Sequence, residues 1–129
     1  MVDYKSLVGR QWEYGKFDCY SIIRDYFALL KINLPDYQRP ESFETCKSIF
    51  LNDADKLNFK KVDINHRKPN DVLIMKIFTK EPMHGAVLLE NDMILHQKFE
   101  SLSCAEYFDS YYRKRTVGCF RYAAYSSAA

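Results

Sequence analysis

Apolar residues follow two different periods along this chain, and the switch between them constrains the fold more than any other feature. From Cys19, the positions Ile22, Ile23, Tyr26, Phe27 and Leu30 fall at i+3, i+4, i+7, i+8 and i+11, the stripe of a helix with Asp18 as its N-cap. Leu34-Pro35-Asp36 ends that helix, because a proline disfavours helical geometry in the residue before it. A second helix is expected over residues 41–52, with Phe43, Cys46 and Phe50 on one face. Beyond Lys56 the apolar runs become short and rich in β-branched and aromatic residues, and residues 59–62, 72–78, 85–89, 93–95 and 116–122 are expected as strands. Residues 103–112 predict one more helix, with Ser103 as cap and Glu106 at the capping-box position. Ahead of all this, Asp3 would cap a short helix over residues 4–9, and Trp12, Tyr14, Gly15 and Phe17 form an aromatic loop leading into Cys19. Helices first and strands afterwards give an α+β class.

With 129 residues there is enough chain for one continuous core, so residues 1–129 are read as a single domain. A content of 47% hydrophobic and 28% charged residues matches a folded protein rather than a disordered or fibrous one. Lys and Arg number 19 against 17 Asp and Glu, a net charge of +2, and the only basic tract is 113–115, so nothing suggests a nucleic-acid partner. The opening MVDYKSLVGR is charged where a secretory signal is apolar, and no stretch approaches the roughly 18 apolar residues of a membrane span. Synthesis is therefore expected to end in the bacterial cytoplasm, without membrane insertion. In that reducing compartment Cys19, Cys46, Cys104 and Cys119 should be free thiols, and their spacing matches no structural zinc site.

The chemistry-bearing residues are few. A thiol in the first turn of a helix lies near the positive end of the macrodipole, which favours thiolate and lowers its pKa. Cys19 is there a candidate nucleophile, with a small buried core residue as the alternative reading. His84 opens one apolar run and His96 closes the next, with only Glu90-Asn91-Asp92 between the runs, so one hairpin carries both. Their strand-end positions predict partial exposure at the sheet margin. His66, in the polar stretch Asn65-His66-Arg67-Lys68-Pro69, reads as solvated. The hairpin register decides whether the two imidazoles can meet. A two-residue turn puts them on opposite faces, whereas a three-residue loop that pairs Leu89 with Met93 and Ala86 with His96 puts them on one face, and the latter is expected.

These residues also carry a resemblance. Trp12-x-Tyr14-Gly15-x-x-Asp18-Cys19-Tyr20-Ser21, Arg24-Asp25-Tyr26 and Leu34-Pro35-Asp36-Tyr37 resemble the start of the NlpC/P60 cysteine peptidases, most of all the branch found in phage tail-tip assembly proteins. Pro69-Asn70-Asp71-Val72-Leu73 resembles that family's Pro-Gly-Asp strand entry, Met83-His84-Gly85-Ala86-Val87 its histidine strand, and Ile94-Leu95-His96 the strand bearing its third polar residue. The resemblance implies a papain-like NlpC/P60 fold with N-terminal helices packed on an antiparallel sheet. It implies hydrolysis of amide bonds in peptidoglycan stem peptides with neither metal nor cofactor. By motif position it makes Cys19, His84 and His96 the triad, and Tyr14 and Asp18 substrate-binding residues or contributors to the oxyanion site. Two departures stand out: Tyr20-Ser21 replaces the Ser-Gly of many bacterial relatives, and Asn70 replaces a glycine in a turn that tolerates positive φ.

The functions implied are a tail-tip peptidoglycan endopeptidase, a tail-assembly component that binds other phage tail proteins and keeps its triad incidentally, and a secreted antibacterial amidase on the same triad. The presence of all three triad residues favours an enzyme. Its expected location is the virion tail tip.

Overall fold

A computed structural model describes residues 2–41, 46–77 and 79–126. Helix α1 (Cys19–Leu29) begins where the sequence places it: Asp18 is its N-cap, and the carboxylate accepts from the Ser21 amide at 3.1 Å. It ends earlier than the Leu34-Pro35 signal. Lys31 takes φ 66°, and the amides of Lys31 and Ile32 return to the carbonyls of Ala28 (3.0 Å) and Phe27 (2.9 Å). That pairing closes a helix before proline is needed.

The expected second helix is a correction. Helix α2 covers only Ile49–Asp53, capped by Ser48, whose hydroxyl accepts from the Phe50 amide at 3.3 Å. Cys46 to Ser48 are not helical, and the Ser48 amide is bound to the Pro82 carbonyl at 3.1 Å, a tertiary tie in place of a helical bond at that residue. Phe43 and residues 42–45 lie outside the described residues. Likewise the expected helix over 4–9 is a 3-10 turn at Lys5–Leu7, with Asp3 accepting from the Lys5 amide.

Six strands follow: β1 (Phe59–Val62), β2 (Val72–Met75), β3 (His84–Leu88), β4 (Met93–His96), β5 (Cys104–Tyr107) and β6 (Thr116–Tyr122). They form one antiparallel sheet in the order β1-β6-β2-β3-β4-β5. Strand β2 stops at Met75, where its register against β6 shifts and the Lys76 amide turns to the Arg115 carbonyl (2.9 Å). Asn70, ahead of β2, takes φ 78°, the conformation expected of it.

The largest correction is at residues 103–112. The first half is strand β5, and only Ser110–Arg115 is helical (α3), capped by Asp109 rather than Ser103. Ser103 is stitched to the N-terminal segment, its hydroxyl donating to the Leu7 carbonyl (2.6 Å) and accepting from the Arg10 amide (2.8 Å). With Ser103 occupied and Glu106 drawn to His96, the capping box has neither member left, and β4 offers 104–107 a ladder instead.

Strand alternation sorts the core into two layers. Val72, Ile74, Val87, Leu95 and Phe120 face α1 and pack with Ile22, Ile23, Phe27, Phe50 and Phe59. Leu73, Met75, Ala86, Leu88 and Ile94 face the other way, onto Phe108 and Tyr112. Phe27, Phe50 and Phe59 meet edge to face at 5.1–5.3 Å between centroids. Truncating the fully buried Phe27 to alanine should cost about 3–5 kcal/mol. The fold is α+β, as the sequence implies.

Candidate active site

The β3–β4 hairpin turns through Glu90-Asn91-Asp92, with Asn91 and Asp92 at φ 61° and 58°. Leu89 donates to the Met93 carbonyl at 2.7 Å, and Ala86 pairs with His96. This is the three-residue register, and it sets His84 and His96 on the same face. Their rings meet at 2.9 Å between His84 Nε2 and His96 Nδ1.

Neither imidazole is partly exposed as its strand-end position suggests. His84 is buried and His96 wholly so, because β5 continues the sheet past β4 and the Tyr112 ring from α3 stands edge-on to His96 at 5.3 Å. Burial, followed by the influence of His96, holds His84 well below the ordinary histidine range. Burial also lowers His96, against the pull of Glu106. Both shifts favour the neutral rings over the charged ones. His66 is exposed, as expected.

The thiol arrives from the opposite side of the sheet. Cys19 is the first residue of α1, which packs on the other layer, and it reaches the end of β3 where the strand begins. There it lines a small cleft with Trp12, Ile77, Met83, His84, Gln97 and Phe99, a space of about 10 Å³, which is about one water. Trp12 and Phe99 meet edge to face across it at 4.8 Å. The Cys19 thiol donates to the Met83 carbonyl at 3.4 Å. Burial pushes this thiol up to about 12, the Asp18 charge adds to the rise, and a hydrogen bond from the Gly85 amide only partly offsets it. The lowered pKa expected at a helix start is therefore reversed, because desolvation outweighs the macrodipole.

A family model for NlpC/P60 matches residues 9–121. The chain belongs to the NlpC/P60 family. It is 28% identical over 124 residues to the tail tip assembly protein K of Escherichia phage lambda, covering 95% of this chain and 62% of that protein. To the protein of the same name from Escherichia phage N15 it is 28% identical over 120 residues, covering 90% and 49%. The chain thus spans 62% and 49% of the length of these curated relatives. Among solved structures, an NLP/P60 family protein described as similar to lipoprotein from Staphylococcus aureus superposes with a TM-score of 0.66 at 15% identity, covering 92% of this chain and 38% of the other. A Bacillus cereus NlpC/P60 protein gives 0.63 at 16% identity, covering 93% and 38%. These establish the fold.

Within this NlpC/P60 site the two expected substrate-binding residues differ. Tyr14 lines an open groove of about 630 Å³ with Asp36, Tyr37, Arg39 and Pro40, and packs against the buried Cys19, Cys46 and Met83. Asp18 is 1% exposed, and its oxygens accept from the amides of Gly15 and Ser21, the Ser21 hydroxyl, and Nε and Nη2 of Arg39. Five donors saturate its lone pairs, so Asp18 holds the start of α1 and has no acceptor left for a ligand. Burial would raise its carboxyl, but the Arg39 guanidinium keeps it below the usual range.

Arg39 and Gln97 carry no functional signal in the sequence, and Glu106 reads there only as a capping-box residue. Glu106 Oε2 accepts from His96 Nε2 at 2.7 Å. Gln97 donates from its amide nitrogen to the Arg10 and Ser101 carbonyls, leaving a buried Oε1 without a partner among the described residues. His96, Cys104 and Glu106 bring ligand-type atoms within 4.8 Å of one another, but the 2.7 Å contact is a hydrogen bond, and the Lys98 ammonium lies 3.3 Å from the same carboxylate oxygen. That cation disfavours a second one. The four cysteines are free, and no described helix is long and apolar enough to cross a membrane.

Proposed function

We propose that this chain is a cysteine hydrolase that cleaves amide bonds of peptidoglycan stem peptides from a phage tail tip. One observation carries the reading: a helix-start thiol and a buried histidine, itself hydrogen-bonded to a second histidine, border the same cleft. The phage setting rests on the relatives named as tail tip assembly proteins.

In this mechanism the resting pair is neutral thiol and neutral imidazole. As Cys19 Sγ attacks the amide carbonyl, its proton passes to His84, and His96 holds the imidazolium through the 2.9 Å bond. The amide C–N bond then breaks, His84 gives the proton to the departing amine, and an acyl-thioester is left on Cys19. Water, deprotonated by His84, releases the acid and restores the thiol. Tyr14 would line the approach for the peptide, and Asp18 contributes by fixing Cys19 and Arg39.

Release of fragments from purified cell wall tests this, with Cys19→Ala as the comparison. Lysis by the wild type that the variant lacks supports it, and equal lysis by both overturns it. A second reading, an assembly component binding neighbouring tail proteins, is favoured by the closure of the cleft between Trp12 and Phe99 and predicts no lysis by either form.

A further inference from the structure

We propose that Glu106 is a positioning residue, whose carboxylate fixes the order of protons along His96 and His84 so that His84 offers a bare Nδ1 to Cys19. The inference deepens the hydrolase reading and rests on it for its catalytic meaning.

The order follows from what each atom can do. An ionised carboxylate only accepts, so in the 2.7 Å contact the donor is His96 Nε2. A neutral imidazole has a single N–H, so His96 Nδ1 is then a lone pair. At 2.9 Å it accepts from His84 Nε2. His84 thereby carries its one proton on Nε2, and Nδ1 is the nitrogen free to take the thiol proton. Without the carboxylate, His96 can instead keep its proton on Nδ1 and donate to His84 Nε2. The His84 proton is then forced onto Nδ1, and the base has no lone pair for sulfur.

The surroundings keep Glu106 ionised. From β5 the Cys104 thiol donates at 3.3 Å, from α3 the Tyr112 hydroxyl lies at 3.1 Å, and just beyond β4 the Lys98 ammonium lies at 3.3 Å. Although burial works against the charge, His96, Cys104 and Lys98 hold the carboxyl down to about 2. Lys98 also opposes protonation of both rings, which leaves Glu106 as the negative group facing the pair among the described residues. Register explains the reach: His96 pairs with Cys104, and Glu106 stands two residues further along the same face of β5. Had residues 103–112 folded as the helix their sequence suggests, this contact could not form.

Two variants separate the carboxylate's shape from its charge. In E106Q the side-chain oxygen still accepts from His96, so the proton order survives while the charge is lost. In E106M both are lost. Nitrogen-15 NMR of histidine-labelled protein should find the proton on Nε2 of both His84 and His96 in the wild type and in E106Q, and on Nδ1 of both in E106M, with exposed His66 as the internal reference. On cell wall, kcat/KM should fall on the order of 100-fold in E106M and about 10-fold in E106Q. The acidic limb of the E106Q profile should move to lower pH, because removing a negative charge makes His84 harder to protonate. A merely structural glutamate would not move that limb.

A wild-type His84 protonated on Nδ1 overturns the proposal. So does an unmoved limb in E106Q together with unchanged ring nitrogens in E106M. If E106M does not fold by circular dichroism, the wild-type tautomers and the E106Q limb decide alone. If the wild type cleaves no wall amide, the hydrolase reading fails, while the ring-nitrogen assignments still decide the proton order.

Discussion

On the thiol side of the cleft, a carboxylate with 1% exposure is saturated by backbone amides, a hydroxyl and an arginine, and it fixes the start of a helix. On the imidazole side, a carboxylate about a third exposed lies at the outermost strand and touches a wholly buried histidine. Asp18 is spent on structure, and its charge raises the thiol it adjoins. Glu106 supports the charge that an imidazole acquires when it takes up a proton. Two acids near one cleft therefore push their neighbours in opposite directions: Asp18 adds to the burial that favours the protonated thiol, and Glu106 favours a proton on His84 against the burial that opposes it.

The sharpest way to break this comparison is to remove the groups that meet between the two acids. Cys19→Ala and His84→Ala should each lower hydrolysis by more than about 1000-fold, whereas His96→Ala should cost on the order of 10 to 1000-fold with the fold kept. Kinetics paired with circular dichroism checks this, and full activity in folded His84→Ala would defeat the mechanism.

Next in size is stability on the thiol side. Arg39 has a side chain only 4% exposed, and Arg39→Ala leaves the Asp18 charge buried without its partner. Urea unfolding should show a loss of roughly 3 kcal/mol. A loss under half of that would mean that amides and the Ser21 hydroxyl alone suffice for Asp18.

The imidazole side should show itself in acid. His84 is depressed below its ordinary 6.5, so as pH falls through that value the unfolded chain takes up a proton that the folded one refuses, and stability declines. Glu106, lowered from 4.5 to about 2, contributes stability that is complete above 4.5 and is lost as pH falls toward 2. Melting temperature measured from pH 7 down to 3 should therefore fall in two stages, and His84→Gln should flatten the first. Activity should hold a plateau from neutral pH upward, with no basic limb until far into the alkaline range, because the thiol is raised to about 12.

The smallest effect is expected in the groove. Tyr14 donates to the Pro40 carbonyl at 2.6 Å, and Tyr14→Phe should raise KM a few-fold, within about 1 kcal/mol, with kcat nearly unchanged. An equal fall in kcat would place the hydroxyl at the reacting carbonyl instead.

Most of the frame was legible because local signals agreed with tertiary ones. The stripe from Cys19, the Asp18 cap and the hairpin loop are decided by residues within a few positions of one another. What escaped depends on partners far away in sequence. Ser103 answers to Leu7 and Arg10, Ser48 to Pro82, and Glu106 to His96, so a pattern with a good local meaning was overruled each time. The thiol's raised pKa escaped for a related reason, since a helix start is visible in sequence and the depth of its burial is not.

Of the six strands of the sheet β6 leaves the ribosome last, yet it lies inside the sheet, between β1 and β2. Strands β2 to β5 follow one another in space as they do in sequence, so the histidine hairpin can assemble as it is synthesised. Strand β1 has no such neighbour: its ladder partner is β6, some sixty residues downstream, from Phe59 opposite Tyr122 to Val62 opposite Cys119. Until Thr116–Tyr122 has been made, two strand edges rich in hydrogen-bonding groups stay open, and the sheet carries its greatest risk of misassembly just before β6 emerges.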